Sequence, residues 1–199
     1  MTSDRHAFRA SWHDYNEGIY FVTICTAGKR HIFGQVIDGE MVLNQRGMIV
    51  DETLRSISMH SPVVEIHNHV VMPNHIHILM QIVGTRYIAS AHSSLHSQNT
   101  GALKPPMHGE ATVNNHFNSR LSVIIGNFKA AVTRKLRAVD NARLAEEGRT
   151  RCIASLPVWQ GRYHDHIVRD QRAYDKINSY ISENPKRWDS DVFNTQCYK

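Results

Sequence analysis

The sequence predicts an α+β fold in which helices pack on one face of an antiparallel sheet. Three observations predict it. Residues 70–83, VVMPNHIHILMQIV, are two apolar runs around a Pro73-Asn74 turn, the pattern of two adjacent antiparallel strands. Residues 18–26, GIYFVTICT, are rich in β-branched and aromatic side chains, as a buried strand requires. Later in the chain, apolar residues recur at helical spacing in two long stretches. The order is strand, hairpin, helix, two antiparallel strands, helix, helix, with no internal repeat, and this favours α+β over other classes.

The chain has 199 residues, enough for one domain with a sizeable core, read as a single unit over 1–199. Hydrophobic residues make up 41% of it, and no apolar run approaches the roughly twenty residues of a membrane span, so no membrane partner is expected. The first residues, MTSDRHAFRASWHDYNEG, lack a hydrophobic signal core, which predicts a cytoplasmic location. Cys25, Cys152 and Cys197 are widely spaced with no CxxC pair, against a thiolate zinc site or a disulfide framework. Lys plus Arg is 23 against 18 acidic residues, a net charge of +5 that tilts towards a polyanionic partner.

After the first strand, Asp38-Gly39 marks a tight hairpin turn between short strands. Asn44 can cap the helix that follows, in which Met48, Ile49, Leu54 and Ile57 recur, and Pro62 ends that element. Residues 63–72 and 75–83 form the central hairpin. Its second pair of histidines, His67 and His69, is expected to face away from His75 and His77 if the turn has two residues, because Val70 then pairs with His77. Residues 84–119 are rich in Ser, His, Asn, Gly and Pro and read as a mobile insertion. Residues 120–138 form a helix with Leu121, Ile124, Ile125, Phe128, Val132 and Leu136 on its apolar stripe. A polar link over 140–155 leads to a short extended stretch, VWQGRYHDHIVR. Asp170 caps a last helix that runs to about Asn184, where Pro185 blocks continuation, and residues 186–199 read as a peripheral tail.

Chemistry concentrates in two places. Side chains at i and i+2 of a strand share a face, so His75 and His77 emerge side by side. On the last helix, Ala173, Ile177, Tyr180 and Asn184 share a stripe. If that stripe packs on the histidine-bearing face, two imidazoles and an amide oxygen could hold a divalent cation with positions open for phosphate and water. A phenol beside such a cation is a plausible nucleophile towards a phosphodiester.

His75-Ile76-His77 with Met72-Pro73-Asn74 before it, and Tyr180 with Asn184 in SYISENPKRW, resemble the single-tyrosine HUH transposases, above all the REP-associated tyrosine transposases. YFVTICT, LSVIIGNFKAAVT and VWQGRYHDHIVR are similar to that family too, so the resemblance spans most of residues 18–188. It implies a ferredoxin-like core and a Mg2+ or Mn2+ ion held by His75, His77 and the Asn184 position. It implies Tyr180 as the residue that forms a 5'-phosphotyrosine and releases a 3'-OH. The implied substrate is single-stranded DNA folded into imperfect hairpins, cut by a monomer or homodimer.

Plainer roles stay open for each residue. The histidines could sit on a wet strand face, Tyr180 could be a core tyrosine with Tyr163 and Tyr174 as rival nucleophiles, and Asn184 could end its helix. Lys129, Arg134, Lys135 and Arg137 suit either a solvated helix face or a DNA backbone, and Arg169 with His166 suits either phosphate or local carbonyls. Trp159, Trp188 and Tyr163 could stack on unpaired bases or pack in the core. A non-catalytic nucleic-acid-binding domain and a hydrolytic nuclease are the alternative functions on such a scaffold.

Overall fold

The computed structural model describes residues 15–84, 119–146 and 157–194. Its strands are β1 (Gly18–Cys25), β2 (Gly34–Ile37), β3 (Glu40–Leu43), β4 (Val64–Val71), β5 (His75–Ile82) and β6 (His164–Val168). The helices are α1 (Gln45–His60), α2 (Arg120–Glu146) and α3 (Gln171–Glu183), with short 3-10 turns at Ala27–Lys29 and Pro185–Ser190. Four strands form one antiparallel sheet in the order β4-β5-β1-β6, while β2 and β3 form a separate hairpin. With α1 between β1 and β4, and α2 between β5 and β6, this is the β-α-β-β-α-β ferredoxin-like arrangement. The expected 84–119 insertion lies outside the described residues except at its two ends.

Strand alternation divides the apolar residues between two layers. Tyr20, Val22 and Ile24 of β1 and Ile76, Ile78, Met80 and Ile82 of β5 join α1 and α2 in the larger core. On the opposite face Ile19, Phe21, Leu79 and Val168 meet Ala173, Tyr174, Ile177, Tyr180 and Ile181 of α3. The α+β class is as expected. A single helical layer, however, describes α1 and α2 only, and α3 covers the other face. The reason is in the central strands: runs such as YFVTIC and HILM have apolar residues at odd and even positions, and a strand apolar on both sides needs cover on both.

Local signals account for the turns and ends. Asp38 (φ 51°) and Gly39 (φ 76°) both take the positive φ of a tight hairpin turn. The Asn44 side chain accepts a hydrogen bond from Gly47 N–H, and the Asp170 carboxylate accepts one from Ala173 N–H, so both expected caps form. Helix α2 runs to Glu146, beyond the expected end at 138. Nothing in DNARLAE breaks a helix, and Asp140 pairs with Arg46 at the start of α1.

The β4-β5 turn has two residues, since Met72 N–H donates to His75 C=O and Val70 opposes His77. His69 therefore faces α1, where its Nε2 lies 2.7 Å from Asp51 Oδ1. Burial would raise the Asp51 carboxyl, but its hydrogen bonds with Arg55 and His69 outweigh this and hold it below the ordinary carboxylate value. These groups line a cleft of about 620 Å³ beside β4, away from His75 and Tyr180. His67 corrects the expectation. A bulge between Ile66 and Asn68 adds one residue to β4, so His67 turns to the α3 face and packs on Tyr174, 5.6 Å between ring centroids.

Candidate active site

Strand β5 sets His75 and His77 on the face that α3 covers, 0% and 2% exposed. Their Nε2 atoms are 3.1 Å apart. Behind each ring is a specific partner. His75 Nδ1 is 2.9 Å from Asn74 Oδ1, and the buried Asn74 amide is oriented by donating from Nδ2 to Lys29 C=O and Phe193 C=O. That oxygen only accepts, so Nδ1 of His75 carries the proton and its Nε2 keeps a lone pair. His77 Nδ1 is 2.9 Å from Thr23 Oγ1, a hydroxyl that can donate or accept. Either tautomer of His77 is thus satisfied. Burial lowers the pKa of His77 to about 3; burial, reinforced by His77, Lys29 and His31, lowers that of His75 to about 2. Both rings are neutral near pH 7, the form that ligates metals.

Helix α3 brings Tyr180 to them. Its hydroxyl is 3.3 Å from His77 Nε2, and its ring packs edge-on against His77 and Phe21, with centroids 5.2 and 6.0 Å away. Burial, and then the Asp191 carboxylate, raise the phenol's pKa; hydrogen bonding with Asn184 and the charge of Arg187 oppose this. Asn184 is fully buried one turn on. Its Nδ2 donates to Asp191 Oδ2 at 3.3 Å, while its Oδ1 has no hydrogen-bond partner among the described residues. A buried carbonyl oxygen without a partner costs free energy comparable to a lost hydrogen bond. Two neutral imidazole nitrogens and that orphan oxygen suit a hard-to-borderline divalent cation, so the residues fit the expected metal, with Asp191 as a carboxylate at its margin. Tyr180 meets His77 of its own chain.

The tail expected to be peripheral from 186 onwards instead seals this site through residue 194. Trp188 is buried, its ring centroid 6.0 Å from that of His75 and 5.5 Å from that of His31. Phe193 lies closer, its ring centroid 4.4 Å from that of His75, and Lys29 Nζ sits over its ring, 5.3 Å from the centroid. These aromatics exclude water, which is why the histidines are so strongly discharged. Sequence reasoning missed Phe193, Asp191, Thr23 and Asn74 as parts of the site. The one local signal was Asn74, adjacent to the histidine pair in PNHIH.

The basic residues of α2 are elsewhere. Lys129 Nζ donates to the carbonyls of Gln160, Gly161 and Arg162 at 2.9 to 3.4 Å, and Lys135 Nζ donates to Thr53 Oγ1 at 3.0 Å. Arg134 and Arg137 are exposed on the same helix, on the sheet face opposite Tyr180. Arg169 is exposed between β6 and α3. Trp159 is a core residue packed on Phe33 and Phe128, and Tyr163 packs beside Lys129.

A polar clamp fixes α3. Asn68 Nδ2 lies 2.7 Å from Asn178 Oδ1, 3.1 Å from Ser182 Oγ and 3.3 Å from Asn178 C=O, so the bulged strand grips the helix on both sides of Tyr180. Asn68→Ala should cost about 1–2 kcal/mol of stability, read from a urea midpoint, because these acceptors lose their donor. It should also slow any chemistry of Tyr180 by about tenfold at unchanged substrate affinity, since small displacements of a reacting group are expensive.

No protein-family model matches the sequence. Among solved structures, a REP-associated tyrosine transposase bound to a REP hairpin is 16% identical, with 90% of this chain and 72% of that chain covered at a TM-score of 0.46. A provisionally assigned transposase from Deinococcus radiodurans R1 is 14% identical, with 88% and 95% covered at a TM-score of 0.42. At those scores neither likeness carries an argument about activity. The described residues contain no helix long and apolar enough to cross a membrane. A protein of Haemophilus influenzae (strain Rd), described as an "Uncharacterized protein", is 32% identical over 190 residues, 94% of this chain and 91% of its own length, and this chain belongs to the same family.

Proposed function

We propose that the chain is a DNA transposase of the single-tyrosine HUH type, which cleaves and rejoins single-stranded DNA through Tyr180. The observation that carries this reading is the 3.3 Å contact between the Tyr180 hydroxyl and His77 Nε2, in a site that also holds His75 and the orphan Asn184 oxygen. In the reaction the Tyr180 oxygen forms a bond to phosphorus and the bond from phosphorus to the 3' oxygen breaks. The 3'-OH leaves with a proton, and the 5' phosphate stays on the tyrosine. Attack by another 3'-OH reverses these steps on a new strand, with no energy source needed.

Ionising a free phenol at pH 7 costs about 4 kcal/mol, and burial makes it harder for Tyr180. A bound Mg2+ or Mn2+ would supply positive charge for the phenolate and the phosphoryl oxygens, held by His75, His77 and Asn184. The chain's own part is to present neutral imidazoles, to fix the phenol through Asn68, and to keep water out with Trp188 and Phe193. Exclusion of water favours transfer to DNA over hydrolysis. The resemblance of these motifs to those of the REP-associated transposases supports hairpin-bearing single-stranded DNA as the substrate.

End-labelled hairpin DNAs with single-stranded flanks, from the protein's genomic neighbourhood, test the proposal on a denaturing gel. A protein–DNA adduct that requires Mg2+ or Mn2+ is the expected result. Metal-dependent cutting with no adduct would mean that water is the nucleophile, and binding with no cutting would mean a non-catalytic domain.

A further inference from the structure

We propose that the part of the sheet left open by α3, over β1 and β6, is a surface for the unpaired nucleotides next to the scissile phosphate, with His164 and His166 as its principal contacts. The inference rests on the strand-transfer reading above and extends it to where the DNA lies. Strand register carries it. Directly opposed residues in an antiparallel pair share a face. His164 opposes Thr23, and Thr23 opposes His77, so one row across three strands runs from His164 to the ring beneath the Tyr180 hydroxyl. The adjacent row is His166, Phe21 and Leu79, and the Phe21 ring stacks on His77 with centroids 5.1 Å apart.

Helix α3 packs on β4 and β5 and buries Val168 at the end of β6, but both histidines of β6 stay exposed. They are two residues apart on an edge strand, about 7 Å along it. Imidazole and phenyl planes at that spacing suit bases with free faces, which a duplex does not offer, and imidazole N–H groups can also donate to phosphate oxygens. Charge agrees with a polyanion. Asp165, the acidic residue of β6, opposes Val22 and so faces the other side of the sheet, while Arg162 and Arg169, both exposed, bracket the strand.

The test uses the full chain carrying Tyr180→Phe, so that binding is read without covalent trapping. Its affinity for a fluorescent hairpin oligonucleotide with an unpaired flank is compared with that of the same chain also carrying His164→Ala and His166→Ala. Because both positions are exposed, the melting temperature should hardly change. Affinity should fall at least tenfold, and 5-bromouracil placed beside the scissile phosphate should crosslink within residues 162–169. Unchanged affinity, or crosslinks confined to other segments, would overturn the proposal. The two readings fail separately: an unaltered chain that makes the adduct while the histidine pair leaves affinity unchanged refutes only the surface. Loss of affinity in a protein that never forms an adduct refutes only the transferase.

Discussion

Tyr180→Phe should abolish the covalent protein–DNA adduct, a loss of at least about a thousandfold in the rate of its formation, while the protein stays folded. The substitution removes one oxygen and keeps the ring that packs on Phe21 and His77. Stability should change by less than about 1 kcal/mol, because the only hydrogen-bonding losses are at a half-buried hydroxyl. No other tyrosine of the described residues is placed to substitute. Tyr174 packs on His67, six residues before Tyr180 on α3, and Tyr163 meets Ser122 of α2. A gel on which Tyr180→Phe still yields the adduct would assign the nucleophile to another residue. A gel on which it still cuts, without adduct, would make Tyr180 a structural residue beside a hydrolytic centre.

Why Tyr180 was legible as the partner of His77 is a matter of periodicity. HxH in a strand and an amphipathic helix with one aromatic stripe each define a face from local sequence alone, and only their meeting needed the structure. The two-residue Pro73-Asn74 turn was legible for the same reason, and it sends His69 to the α1 side. The bulge that turns His67 back was not legible, since an inserted residue leaves no mark on an apolar pattern as irregular as VEIHNHVV. Thr23 was hidden differently: its role depends on the pairing of β1 with β5, strands separated in sequence by β2, β3, α1 and β4, which fixes it opposite His77. Residues 188–194 have no helical or strand period to announce burial. Their two aromatics pack there because His75, backed by Asn74, offers them an apolar ring face. The partners of Lys129 and Lys135 were not legible for a complementary reason, that a lysine stem lets an ammonium reach carbonyls or hydroxyls of neighbouring elements while the sequence shows only charge.

Without metal, the protein should lose stability steeply as the pH falls below about 6.5, and His75 and His77 should cause much of the loss. In the unfolded chain a histidine binds its proton near pH 6.5, whereas burial lowers these two to about 2 and about 3 in the fold. Between pH 6.5 and about 3 the unfolded state therefore holds more protons, so their contribution is intact above 6.5 and is lost as the pH falls. The slope approaches about 1.4 kcal/mol per pH unit for each histidine. Asp51, whose carboxyl is held low, adds a loss of the same sign only as the pH drops below its ordinary value of 3.8. Urea midpoints at pH 7, 6 and 5 measure the effect, and His75→Gln with His77→Gln should flatten the dependence whatever it does to the absolute stability. If the variant and the unaltered protein lose stability in parallel, the histidines are not the acid-sensitive groups. Mn2+ at pH 7 should raise the midpoint by binding the neutral rings, and that increment should persist to pH 5, because with folded-state pKa values of about 2 and about 3 the rings are unprotonated at both pH values. A stabilisation by Mn2+ that survived in the Gln variant would place the ion elsewhere, and the orphan Asn184 oxygen would then need another explanation.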